Sequence, residues 1–193
     1  MRFRSRAALA ATLIALAAIG AALAFMTTAA RGSAKTMTMS TSTSMGGMPM
    51  PVPIQPIGHT TWQGMKIEAR LSMAVPFVVF SGTHGRMVKP AKQDDVHLMV
   101  MLSDAQTGAA IPYGSVWATV RKAGKIVFDE RLWPMISRFM GTHFGNNVAL
   151  PGSGTYRVSL LVGPPQAARH VEYAKVWLKP HRVAFTFHWS KPK

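Results

Sequence analysis

Histidine and methionine are the residues of this chain whose types and spacing suit metal chemistry. In DDVHLMV, residues 94–100, Val96, Leu98, Val100 and Leu102 alternate with His97, Met99, Met101 and Ser103. That is the period-two pattern of a strand with one face in the core. The other face carries an imidazole followed by two thioethers, side chains that ligate soft or borderline metals. Taken alone, the same pattern also describes a histidine hydrogen-bonded inside a sandwich. His84 and Met87 stand close together in THGRM, and His143 stands in MGTHFGNN. A loop methionine, a strand histidine and a turn histidine can converge at one end of a β-domain.

The rest of the composition narrows the chemistry. There is no cysteine, which removes thiolate metal sites, iron–sulfur ligation and cysteine nucleophiles. Any metal must be held by histidine, methionine and carboxylate. No GxSxG elbow appears, no glycine-rich phosphate loop precedes a helix, and the seven acidic residues form no apolar-set pair for glycoside chemistry. A binding protein is expected, and not an enzyme.

The chain opens with Arg2, Arg4 and Arg6, followed by an uncharged apolar run over residues 7–26. This is the pattern of an export signal, with cleavage readable after Ala30 or Ala34. The run is also long enough for a retained inner-membrane anchor. Residues 1–34 are therefore expected to be a signal peptide or N-terminal anchor, and the protein to be periplasmic. Residues 35–56, MTMSTSTSMGGMPMPVPIQP with its flanks, are low in complexity and read as a flexible tether. Met37, Met39, Met45, Met48 and Met50 lie in it and would suit Cu(I) or Ag(I). The net charge of +15 suits an anionic membrane surface or an acidic partner, while nucleic acid is a poor fit for an exported chain without a stacking motif.

Residues 57–193 read as strands. Expected strands lie over 65–74, 77–80 and 96–102, with turns at 81–85 and 104–108. A hairpin is expected over 116–132 around Ala123-Gly124, and a second over 144–162 around PGSG at 151–154. Residues 163–169 break the pattern and 183–189 form a closing strand. Seven or eight short strands without a convincing helix predict an all-β, antiparallel sandwich.

The ordered motifs GMKI (64–67), DDVHL (94–98), WPM (133–135), THFGNN (142–147), PGSGTYRVSLLVGPP (151–165), RHVE (169–172) and WLKPHRVAFTF (177–187) make the chain resemble a known family. This is the periplasmic iron-transport-associated family that includes the treponemal 34-kDa membrane antigen. The resemblance implies an immunoglobulin-like homodimer that binds copper and assists an inner-membrane iron permease. Matched position by position, it implies His97 and His143 as ligands, with Met87 as the loop methionine and Met73 as its alternative. The family's upstream glutamate is missing, and His59, in that region, is expected to replace it as the fourth ligand. Where relatives have Leu-Glu, this chain has Leu98-Met99, a departure that softens the site and favours copper over ferric iron. His170 matches a landmark without an assigned role. Two competing functions remain: copper handling without an iron role, and a membrane-anchored interaction module that binds no metal.

Overall fold

The computed structural model describes residues 43–45, 48–50 and 53–191. In chain order the strands are β1 (Thr43–Met45), β2 (Met48–Met50), β3 (Gln55–Trp62), β4 (Met65–Met73), β5 (Phe77–Ser81), β6 (His84–Val88) and β7 (Val96–Asp104). Then follow β8 (Ser115–Lys122), β9 (Lys125–Ser137), β10 (Gly141–Val148), β11 (Gly154–Gly163) and β12 (His181–Trp189). The expected leader and most of the expected tether lie outside the described residues. Within the tether, β1 and β2 pair with each other.

Eight strands form one antiparallel system in the order β12-β11-β8-β9-β10-β7-β4-β3. It folds into two layers, a first of β3, β4, β7 and β10 and a second of β8, β11 and β12, because β9 serves both. Lys125–Leu132 of β9 pairs with β8, and Trp133–Ser137 pairs with β10. The change of partner falls at Trp133-Pro134. Proline is tolerated there because this end of β9 is an edge of the first layer, where one strand side needs no ladder donor.

The other end closes by packing β3 over β12. Gln55 donates to the His188 carbonyl at 2.8 Å, and Gly58 lies against Phe185. A Cβ on Gly58 would stand 2.5 Å from the Phe185 ring, so only glycine lets the two strands approach this closely.

The core lies between the layers and follows the alternation of each strand. Val96, Leu98, Val100 and Leu102 of β7 meet Val116, Ala118 and Val120 of β8 and Val158, Leu160 and Val162 of β11, all buried. Each fully buried aliphatic side chain of valine size or larger contributes about 1.5–3 kcal/mol relative to exposure. Buried Tyr156 donates its hydroxyl to the Gly152 carbonyl at 2.7 Å, the back-bonded tyrosine corner of immunoglobulin-like sandwiches. The fold is the expected all-β, immunoglobulin-like antiparallel sandwich.

Three local expectations differ from the structure. β3 has no counterpart among the expected strands, because QPIGHTTW has neither a clean alternation nor β-branched density. Residues 81–85 are not all turn: β6 begins at His84 and pairs with β5 as a separate hairpin. The strand after Lys125 runs on to Ser137, five residues beyond the expected hairpin.

Candidate metal centre

The outward face of the first layer carries the site. On β7, the residues opposite the core-facing set are His97, Met99 and Met101. Register places Asn147 of β10 beside His97 and Gly145 beside Met99. It also places Met135 of β9 directly across from His143. Cross-strand partners share a face, so two imidazoles and several thioethers gather on one surface of the sheet. The β5–β6 hairpin and the end of β9 border this surface, and together they enclose a cavity of about 740 Å³. His97, His143, Met99, Met135 and Met140 line it, with Phe77, Val78, Phe80 and Phe139 among its apolar walls.

His97 is 2% exposed and His143 5% exposed. Their ring centroids are 6.1 Å apart and nearly perpendicular, at 82°. His143 Nδ1 lies 3.1 Å from the Gly141 carbonyl. A carbonyl only accepts, so that nitrogen bears the proton. His97 Nδ1 lies 2.9 Å from Asn147 Oδ1.

The Asn147 amide is oriented by Val75. Its Nδ2 donates to the Val75 carbonyl at 2.9 Å, and its Oδ1 accepts from the Val75 N–H at 3.3 Å. Oδ1 therefore accepts from His97 as well, and His97 Nδ1 bears the proton. Both rings are held as the tautomer whose Nε2 lone pair is available to a ligand.

Burial also keeps both rings neutral. Desolvation is the largest influence on each and lowers both pKa values from the ordinary histidine range. The Asn147 bond partly opposes this at His97, while His143 adds to it. At His143 the Gly141 bond opposes it. With metal–imidazole bonds of about 2 Å, centroids 6.1 Å apart allow both rings to reach one ion. The donor set fits a borderline or soft cation.

The motif FGNN explains itself at this site. Phe144 is core. A Cβ on Gly145 would stand 2.5 Å from His97 Nε2, so glycine makes room for the imidazole. Asn146 donates to Glu130 at 3.1 Å and accepts from the Asn147 N–H at 2.9 Å. Asn147 orients His97 and fastens the segment leading into β5.

Of the four expected ligands, the structure brings two together. His97 and His143 share the cavity; Met87 and His59 do not line it. Met87 is 54% exposed on β6, although its cross-strand partner Val78 does line the cavity. The alternative Met73 is 59% exposed at the end of β4. His59 is exposed on β3 opposite Glu68, whose carboxylate is engaged by Lys66 and Arg70.

Three cavity residues were undervalued from sequence. Met99 is a thioether on the ligand-bearing face that the family resemblance sets aside as a departure, and Met135 and Met140 carry no local signal of a ligand. The single His-x-Met spacing on β7, from His97 to Met99, points to Met99. Met135 becomes visible only through strand register.

The family model described as Fe2+ transport protein matches residues 55–191. The chain belongs to this family. The match takes in every strand of the two layers and both buried histidines. UPF0423 proteins from Brucella abortus strain 2308 and Brucella melitensis strain 16M are each 31% identical over 119 residues. These alignments take in 52% of this chain and 64% of each relative, so the chain covers less than two thirds of their length. Among solved structures, FetP of uropathogenic Escherichia coli matches with a TM-score of 0.58 and 23% identity, covering 73% of this chain and 99% of FetP. A copper-bound variant of Campylobacter jejuni P19 matches with a TM-score of 0.58 and 22% identity, covering 73% of this chain and all of P19. At these identities the two structures establish the shared fold. Among the described residues, no helix is long and apolar enough to cross a membrane.

Proposed function

We propose that this member of the Fe2+ transport protein family is a periplasmic, copper-binding accessory of iron uptake that assists an inner-membrane iron permease. It acts by binding metal, not by catalysis. The observation that carries the reading is the pair His97 and His143, buried together with both Nδ1 atoms engaged and both Nε2 atoms available. The copper-bound P19 variant supports copper as the ion, and the family description supports the iron role. Bound copper would supply a redox couple beside an iron pathway; the chain's own part is to hold two neutral imidazoles in place and screen them from bulk water. A homodimer is part of the proposal. Phe80 and Ile136, 69% and 91% exposed at the cavity, are the apolar surface that a second copy would cover.

Copper titration of the parent, His97→Ala and His143→Ala tests the site. The parent should bind one ion per chain, and each variant should bind at least tenfold more weakly, about 1.4 kcal/mol. Variants that bind like the parent would remove both histidines from the site.

A second reading, copper handling without an iron role, is favoured by one observation: among the described residues no carboxylate lines the cavity. Ferric iron prefers oxygen donors. A deletion strain that grows poorly under iron limitation supports the iron role. A growth defect only under copper excess supports the second reading.

A further inference from the structure

The two histidines leave any bound ion short of donors, and the fold limits what can complete the set. Among the described residues, no group of three histidine, cysteine, aspartate or glutamate side chains is placed to hold a metal. Arg138 lines the cavity and no carboxylate does. The remaining side-chain donors lining it are the thioethers of Met99, Met135 and Met140 and the hydroxyls of Ser72 and Ser137, and a neutral hydroxyl is a poor ligand for a soft ion. Met135 stands directly across the β9–β10 ladder from His143. Met99 follows His97 by two residues on the same face, opposite Gly145, which has no side chain to screen it. Met99 is 2% exposed although it faces away from the sandwich core.

We infer that Met99 and Met135 complete the His97–His143 site with thioether sulfur, and that the site takes its metal as monovalent copper. The inference rests on the proposed copper site and names the ion's charge and remaining ligands. Thioethers select Cu(I) among biological copper states. The charge balance points the same way. Neutral imidazoles and thioethers cancel none of an ion's charge, and the desolvation cost of a buried charge rises with its square. Without a carboxylate to offset it, a singly charged ion is held at far lower cost than a doubly or triply charged one.

The test uses the exported protein and its Met99→Leu, Met135→Leu and double variants. Leucine keeps the volume and apolar character of methionine, and thermal melting checks that each variant folds. Cu(I) affinity is measured anaerobically against a chromophoric Cu(I) chelator. Ag(I) serves as a redox-inert monovalent probe, and Cu(II) is titrated separately. The parent should hold one chelator-resistant Cu(I) per chain. The double variant should lose Cu(I) and Ag(I) affinity by about tenfold or more, with Cu(II) affinity little changed. Copper X-ray absorption should show sulfur scattering in the parent and lose it in the double variant. If the double variant retains parental Cu(I) affinity and sulfur scattering while His97→Ala binds poorly, the thioether assignment is overturned and the histidine site stands. If His97→Ala and His143→Ala also bind like the parent, the histidine site itself falls.

Discussion

Asn147 holds two things at once: its Oδ1 lies 2.9 Å from His97 Nδ1, and its amide brackets both backbone polar atoms of Val75. The imidazole orientation and the position of the segment entering β5 are thus set by one side chain. Asn147→Leu should weaken copper binding by about 10–100-fold, the usual effect of removing a group that orients a ligating histidine. Leaving buried Val75 and His97 groups without partners should also cost about 1–3 kcal/mol of stability. Copper titration and denaturant unfolding of the same variant separate the two effects.

Gly145→Ala should damage the site more than the fold. Gly145 has no left-handed backbone requirement, so its constraint is the 2.5 Å approach of a Cβ to His97 Nε2. Displacing the ring should weaken copper binding by at least about tenfold, with an overpacking cost of about 1–3 kcal/mol. A Gly145→Ala protein with parental copper affinity would show that His97 Nε2 is not a ligand.

Much of this arrangement was legible in the chain because local pattern carried it. Strict alternation in VHLMVML and in TYRVSLLV identified β7 and β11, and the ordered motifs singled out His97 and His143. β3 and β6 were hidden because edge segments bury too little to impose a period on their side chains. The pairing of Met135 with His143 was hidden for a different reason. It depends on β9 leaving β8 at Trp133 and joining β10, a non-local event with no local signature. Met87 precedes the strand histidine in the chain; β6 leaves it exposed, while β9 brings Met135 to the cavity.

Metal-free protein should lose stability on acidification. Burial lowers the folded-state pKa of His97 and of His143, so near pH 6 the unfolded chain binds protons that the folded chain refuses. Stability therefore falls as pH drops from the ordinary histidine range, about 6.5, toward the lowered folded values. The slope is at most about 1.4 kcal/mol per pH unit for each histidine. Denaturant midpoints measured between pH 7.5 and 5.5 should fall in the parent and flatten in His97→Gln/His143→Gln. An equal slope in both would place the titrating groups elsewhere.

Ile136, 91% exposed beside the cavity, is the position at which to test the proposed homodimer. Ile136→Lys leaves the core untouched and puts a charge on the apolar surface. It should convert a dimeric parent to monomer in light scattering while changing unfolding stability of the monomer by no more than about 0.5 kcal/mol. A variant that stays dimeric would move the interface away from this end of β9.

One copper ion is expected between His97 and His143. Anomalous scattering at the copper edge from a copper-loaded crystal measures this directly. A single strong peak is expected in each chain, within bonding distance of both Nε2 atoms. A peak bonded to other histidines such as His59 or His188, or no peak in the cavity, would contradict it.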